Sequence, residues 1–224
     1  MQIHAISLDL DDTLWPIAPI VQRAEQRLHD WLLTHCPTVA AAYPIALMRE
    51  LRDRIALENP HLAHDFTAQR KLSLTTALTP HGFGEDTVEA AFEAFYAARN
   101  EVDLYADARP ALERLAARVP LIGLSNGNAD LGRIGLRHLF VDCVTARDFG
   151  RAKPAPEIFH EACRRVGVEP PFVLHVGDDP LLDVHGARGA GLPSAWLNRD
   201  GRDWSDAPRP DIEFRTLTEL ADWL

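Results

Sequence analysis

The sequence predicts an α/β protein: a parallel sheet with helices on both faces, interrupted by a long all-helical stretch. Three observations predict it. An apolar run at residues 3–9 has strand length and opens the chain. Residues 17–99 carry apolar side chains at helical spacing and show no convincing strand. From about residue 105 short apolar runs alternate with amphipathic segments, the pattern of a parallel sheet covered on both sides.

Taken in order, the first strand ends on Asp9, and the pair Trp15-Pro16 breaks the run, because the residue before a proline is pushed out of helical conformation. Val21, Ala24, Leu28, Trp31 and Leu32 then fall on one helical face, as do Leu47, Leu51 and Ile55, and later Ala91, Phe92, Phe95 and Tyr96. Beyond Tyr105 we expect a helix at 108–118, a strand at 120–125, a helix at 129–138 and a short strand at 141–145. A helix at 155–166, a strand at 172–177, a helix at 180–189, a strand at 193–197 and a last helix follow. Thr216 with Glu219 three residues on makes a capping box for that last helix.

With 224 residues, 46% of them hydrophobic, the chain can bury a full core as one large domain or a domain with an insertion. The formal net charge of −10 argues against nucleic acid and against an anionic membrane as partner, since both select basic surfaces. Cys36, Cys143 and Cys163 are odd in number and widely spaced, which reads as free thiols in a reducing compartment. No signal peptide and no apolar run of membrane-spanning length is visible, so the expected location is the cytoplasm.

In an open parallel sheet, ligands bind at the carboxyl ends of the strands. Three strands here end in polar clusters: Asp9-Leu10-Asp11-Asp12-Thr13, Ser125-Asn126-Gly127-Asn128, and Gly177-Asp178-Asp179 with Asp183 a turn beyond. Each alone reads equally well as a cap or a turn; three on one face point to a site. Clustered carboxylates repel unless a cation sits among them, and hard Mg²⁺ shares its shell between carboxylates, waters and phosphate oxygens. Lys71 and Lys153 are the only lysines of a chain that otherwise uses arginine for positive charge. Lys153, on a loop before a helix, therefore reads as chosen for a compact ammonium that approaches one oxygen as a point charge.

These segments, with Lys153-Pro154, resemble the four ordered motifs of the haloacid dehalogenase-like hydrolase superfamily. The resemblance implies a Rossmann-like catalytic core at 1–15 and 100–224 and a helical cap domain at 16–99. It implies that Asp9 is the nucleophile that forms an aspartyl phosphate, and that Asp11 protonates the leaving alcohol and then deprotonates water. Mg²⁺ would be held by the Asp9 side chain, the Asp11 backbone carbonyl and Asp178. Ser125, the amide beside Asn126, and Lys153 would bind the phosphoryl oxygens. Asp179 and Asp183 would orient Lys153 and metal-bound water. Asp12 stands where many relatives have glycine, and reads as structural or as a cap hinge. His175 reads as a satisfied core histidine, and packing explains Trp15 as well as substrate stacking does. His61 and His64 have no metal-like companions.

Dehalogenases displace halide without needing a proton and lack the second aspartate, so Asp11 argues against that activity. Phosphonate hydrolysis in the family uses a cap lysine, and the only candidate, Lys71, lies in the polar run Gln69-Arg70-Lys71 of a solvated helix face. The expected activity is Mg²⁺-dependent phosphatase action on a small phosphorylated metabolite. Three segments, 65–70, 124–129 and 175–179, also resemble bacterial phosphatases that act on flavin mononucleotide and 5-amino-6-(5-phospho-D-ribitylamino)uracil. Arg70 is expected to be an exposed helical arginine rather than a substrate contact. A sugar-phosphate phosphatase, a phosphomutase and a non-catalytic phospholigand-binding module are the alternatives. The acidic surface permits a monomer or a weak homodimer.

Overall fold

The computed structural model of the protein describes residues 1–204 and 208–224. Its strands are β1 (Ala5–Leu8), β2 (Leu121–Ser125), β3 (Asp142–Thr145), β4 (Val173–Gly177), β5 (Ser194–Leu197) and β6 (Ile212–Phe214). They form one parallel sheet of order β3-β2-β1-β4-β5-β6. This is the order of a Rossmann-like doubly wound sheet: the direction of travel reverses between β1 and β4, and right-handed crossovers then put helices on opposite faces.

The helices are α1 (Ile17–His35), α2 (Pro37–Ala42), α3 (Ile45–Glu58), α4 (Phe66–Leu78), α5 (Glu85–Arg99), α6 (Ala108–Ala116), α7 (Leu131–Ile134), α8 (Ala146–Phe149), α9 (Pro156–Val166), α10 (Gly186–Gly189) and α11 (Leu217–Trp223). The chain divides into two compact units, Met1–Pro16 with Asp103–Leu224, and Ile17–Val102.

In the first unit β1, β2, β4 and β5 are wholly buried, as the continuous apolar runs require, whereas the edge strands β3 and β6 are buried only in part. Ile122, Leu124 and Val144 of the sheet pack with Ile158, Phe159 and Ala162 of α9. The second unit is all helical. Ala24, Leu28 and Leu32 of α1, Leu51 and Ile55 of α3, Leu74 and Leu78 of α4, and Phe92 and Phe95 of α5 form its core. Among the described residues no helix is long and apolar enough to cross a membrane, and the three cysteines are free.

Four local expectations need correction. The segment 129–138 is not one helix. Asp130 caps α7 by accepting from Gly132 N and Arg133 N, and Gly135, at φ +80°, turns the chain after four residues into a short 3₁₀ turn. The segment 180–189 is a π-helix over Pro180–His185 followed by α10. α8 and β6 were not foreseen. β6 has three residues and enters from a proline-containing segment, too short a run for any alternation to register. The last helix does begin at Thr216, whose Oγ1 accepts from Glu219 N at 3.2 Å, but Glu219 Oε2 reaches back to Arg215 N rather than to Thr216 N.

Candidate active site

The three central strands deliver the polar residues. Asp9 follows β1 directly, with its amide donating to Val176 O of β4 at 2.9 Å. Ser125 ends β2, and Gly177 ends β4 just before Asp178. All lie at carboxyl ends beside the β1/β4 reversal, the position at which open parallel sheets bind their ligands.

Lys153 is buried among them. Its Nζ lies 2.5 Å from Asp9 Oδ1 and 2.6 Å from Asp183 Oδ1. Asn126 holds the backbone of this lysine from both sides: Lys153 N donates to Asn126 Oδ1 at 2.7 Å, and Asn126 Nδ2 donates to Lys153 O at 3.0 Å. Ser125 Oγ accepts from Gly127 N at 2.9 Å and shapes the loop that carries Asn126. Asp183 Oδ2 accepts from Asp179 N at 3.0 Å, and Asp183 Oδ1 also faces His175 Nε2 at 3.0 Å. Asp11 Oδ1 accepts from Trp15 Nε1 at 2.8 Å. The carbonyl of Asp178 accepts from Trp196 Nε1 at 2.9 Å and Arg202 Nη2 at 3.0 Å, which fixes the backbone behind its carboxylate.

The electrostatics follow from one ammonium among several buried carboxylates. Burial pulls Lys153 down, but Asp183 and Asp9 outweigh it and hold the ammonium above its usual range. Burial pushes Asp9 well up, and Asp183 and Asp178 add to that against the pull of Lys153. Asp178 is pushed up to about 7 by burial, then by Asp183 and Asp12. Asp183 resists its own burial because Lys153 and His175 hold it well below the carboxylate range. Carboxylate oxygens of Asp9, Asp178 and Asp183 all lie within 4.8 Å of one another. Three carboxylates and one ammonium leave a deficit of two positive charges, and an all-oxygen donor set suits a hard divalent cation such as Mg²⁺. The residues therefore fit that metal.

The haloacid dehalogenase-like hydrolase profile matches residues 3–191. The chain belongs to that family. The 5-amino-6-(5-phospho-D-ribitylamino)uracil phosphatase YigB of Escherichia coli is 29% identical over 98% of this chain and 95% of its own length. A glyceraldehyde 3-phosphate phosphatase of Methanopyrus kandleri is 27% identical over 98% of this chain and 96% of its own. Among solved structures, one named 2-haloacid dehalogenase, from Pseudomonas syringae, superposes with a TM-score of 0.92 at 36% identity over the whole of both chains.

As a member of this hydrolase family, the chain brings Asp9, Lys153 and Asp178 together with Asp183, a fourth member of the cluster. The Asp11 carboxylate is not one of the three clustered acids and is instead oriented by Trp15. The Asn126 carboxamide gives one hydrogen bond from each of its polar atoms to the Lys153 backbone, so its side chain positions the lysine loop. Arg70 is corrected outright. It is 7% exposed, with its guanidinium 3.6 Å above the Phe95 ring within the helical unit. Its neighbour Lys71 pairs with Glu89 at 2.6 Å on the outer side. Sequence reasoning gave no task to Thr13, whose hydroxyl donates to Asp178 Oδ1 at 3.4 Å, to Trp196 and Arg202, or to Ser7, whose hydroxyl meets His175 Nδ1 at 3.0 Å. The contact of His175 with Asp183 had a signal: residues two apart on a strand share a face, so His175 lies on the face of Gly177, against which Asp183 packs.

Proposed function

We propose that this protein is a Mg²⁺-dependent phosphatase that hydrolyses a small phosphorylated metabolite through an aspartyl phosphate on Asp9. The metabolite is 5-amino-6-(5-phospho-D-ribitylamino)uracil or flavin mononucleotide. The observation that carries the reading is Asp9 at a strand end, with one oxygen held by Lys153 and Asp11 two residues on. The ribitylaminouracil phosphate rests on the near full-length similarity to YigB, and flavin mononucleotide on the resemblance of segments 65–70, 124–129 and 175–179.

Asp9 Oδ1 is engaged by Lys153, and Oδ2 has no hydrogen bond among the described residues. Oδ2 attacks phosphorus, and the P–O bond to the alcohol breaks. Asp11 gives its proton to the departing oxygen, and Trp15 keeps that carboxyl in place. Asp11 then takes a proton from water, the water oxygen bonds phosphorus, and the acyl phosphate bond breaks to return Asp9 and inorganic phosphate. Lys153, the Ser125 hydroxyl and the main-chain amide beside Asn126 hold the phosphoryl oxygens. The side chains of Asp9 and Asp178 with the Asp11 carbonyl would hold Mg²⁺, which supplies the positive charge that lets one anion approach another.

The name of the 36% identical structure raises halide displacement as a second reading. That reaction needs no proton donor and would leave Asp11 without a task. A panel of phosphorylated metabolites, with 2-chloropropionate added, tests both. Phosphate release that requires Mg²⁺ and is lost in Asp9→Asn supports the proposal; halide release without phosphate release overturns it.

A further inference from the structure

Lys153 depends for its position on Asp183, and Asp183 is itself held from behind. His175 is 1% exposed and sits on β4 opposite Ser7 of β1, its partner in the strand register. The ring meets Asp183 Oδ1 through Nε2 at 3.0 Å and Ser7 Oγ through Nδ1 at 3.0 Å. Phe159 closes it off edge-on, with ring centroids 5.0 Å apart.

We propose that His175, supported by Ser7, is a positioning residue that fixes Asp183 and through it Lys153. The inference rests on the phosphatase reading for its consequence, though not for its geometry.

An ionised Asp183 carboxylate only accepts hydrogen bonds, so the proton of a neutral imidazole resides on Nε2. Nδ1 is then a lone pair, and the Ser7 hydroxyl donates to it. Asp183 thus receives Lys153 Nζ and His175 Nε2 on Oδ1 and Asp179 N on Oδ2. With three donors from three directions, its carboxylate is spent on orientation. Without the imidazole, Asp183 keeps only Lys153 Nζ and Asp179 N, so Oδ1 loses the donor that fixes it from behind and the ammonium has a less firmly oriented anchor. His175 touches no substrate in this scheme. Its effect is on the rate of the chemical step, because a small displacement of an oriented charge at the reacting centre is costly.

The test compares His175→Leu, which keeps the apolar volume but has no donor, with His175→Gln, whose side-chain amide can still donate toward Asp183. Both are assayed for kcat and KM below their melting temperatures, and imidazole ¹⁵N shifts are recorded on the wild-type protein. We expect a kcat ~10–100-fold lower in the leucine variant with KM within ~3-fold, substantial recovery in the glutamine variant, and an Nε2–H tautomer. A folded leucine variant with wild-type kcat, or an Nδ1–H tautomer, overturns the proposal. The NMR arm does not need turnover: a wild-type protein that releases no phosphate refutes the phosphatase reading and leaves the tautomer to decide the positioning chain. It also decides if the leucine variant fails to fold.

Discussion

Gly177 and Asp183 lean on one another so closely that a Cβ at position 177 would lie 2.2 Å from Asp183 Cγ. The glycine is needed for space rather than for an unusual backbone angle, since it is not among the residues with positive φ. The carboxylate that anchors Lys153 occupies the room its missing side chain leaves. Gly177→Ala should therefore push Asp183 away from Lys153. Overpacking of this kind costs ~1–3 kcal/mol, and the displaced anchor should lower phosphate release ~10–100-fold. Thermal melts together with turnover below the lower melting point separate the two effects. Wild-type turnover in a folded alanine variant would show that the Asp183 position does not matter.

Asn126 allows a second discrimination. Its carboxamide makes two hydrogen bonds to the Lys153 main chain and bridges loops 27 residues apart. Asn126→Ala leaves a donor and an acceptor unsatisfied, at a cost of ~1–3 kcal/mol. If the bridge exists to place the lysine, kcat should fall ~10–100-fold with little change in KM. A raised KM with kcat intact would mean instead that Asn126 contributes uniform binding to the substrate.

Arg70 concerns the helical unit alone. Burial lowers its guanidinium to about 9, and among the described residues no carboxylate lies within ion-pair distance of it. The Phe95 ring offsets part of this, since a desolvated cation over a ring gains ~2 kcal/mol. Replacing a buried charge by an apolar side chain of similar reach is often neutral or stabilising. We expect Arg70→Met to raise stability by ~1 kcal/mol, read by chemical denaturation. A loss above ~2 kcal/mol would show that the charge is compensated inside the unit.

How much of this was legible in the sequence depends on the range of the interaction. The strand-end acids were readable because each sits where a continuous apolar run stops, and Lys153 because a chain rich in arginine used lysine there. The Asn126–Lys153 bridge and the approach of His175 to Asp183 join positions 27 and 8 residues apart. No local pattern records the first of these; the second leaves only the trace that His175 and Gly177 share a strand face. Arg70 misled because Gln69, Arg70 and Lys71 look uniformly polar. On a helix, successive residues are about 100° apart, so Lys71 faces out while Arg70 turns in onto Phe95. The break at Gly135 was marked by the glycine, but the apolar residues on either side suggested continuity.

Asp178 makes the metal and the proton competitors. Its carboxyl is pushed up to about 7 in the folded, metal-free protein, from 3.8 ordinarily. Between those values the folded chain binds the proton more tightly than the unfolded chain, so this group stabilises the metal-free fold at low pH and that contribution is lost as pH rises through about 7. A divalent ion acts in the opposite direction, since it takes the carboxylate only once the proton has gone. Mg²⁺ affinity should therefore fall as pH drops through about 7, by at least ~10-fold per unit, since Asp9, the other side-chain ligand, is also held above its usual range. The melting-temperature gain from saturating Mg²⁺ should be larger at pH ~8 than at pH ~6. Calorimetric titration of Mg²⁺ across this range checks the first statement. The same titration on Asp178→Asn, which has no proton to lose at this position, should give a weak affinity with a shallower pH dependence. A flat wild-type profile would mean that Asp178 is ionised throughout and that the crowding of Asp9, Asp12 and Asp183 around it is relieved by other means.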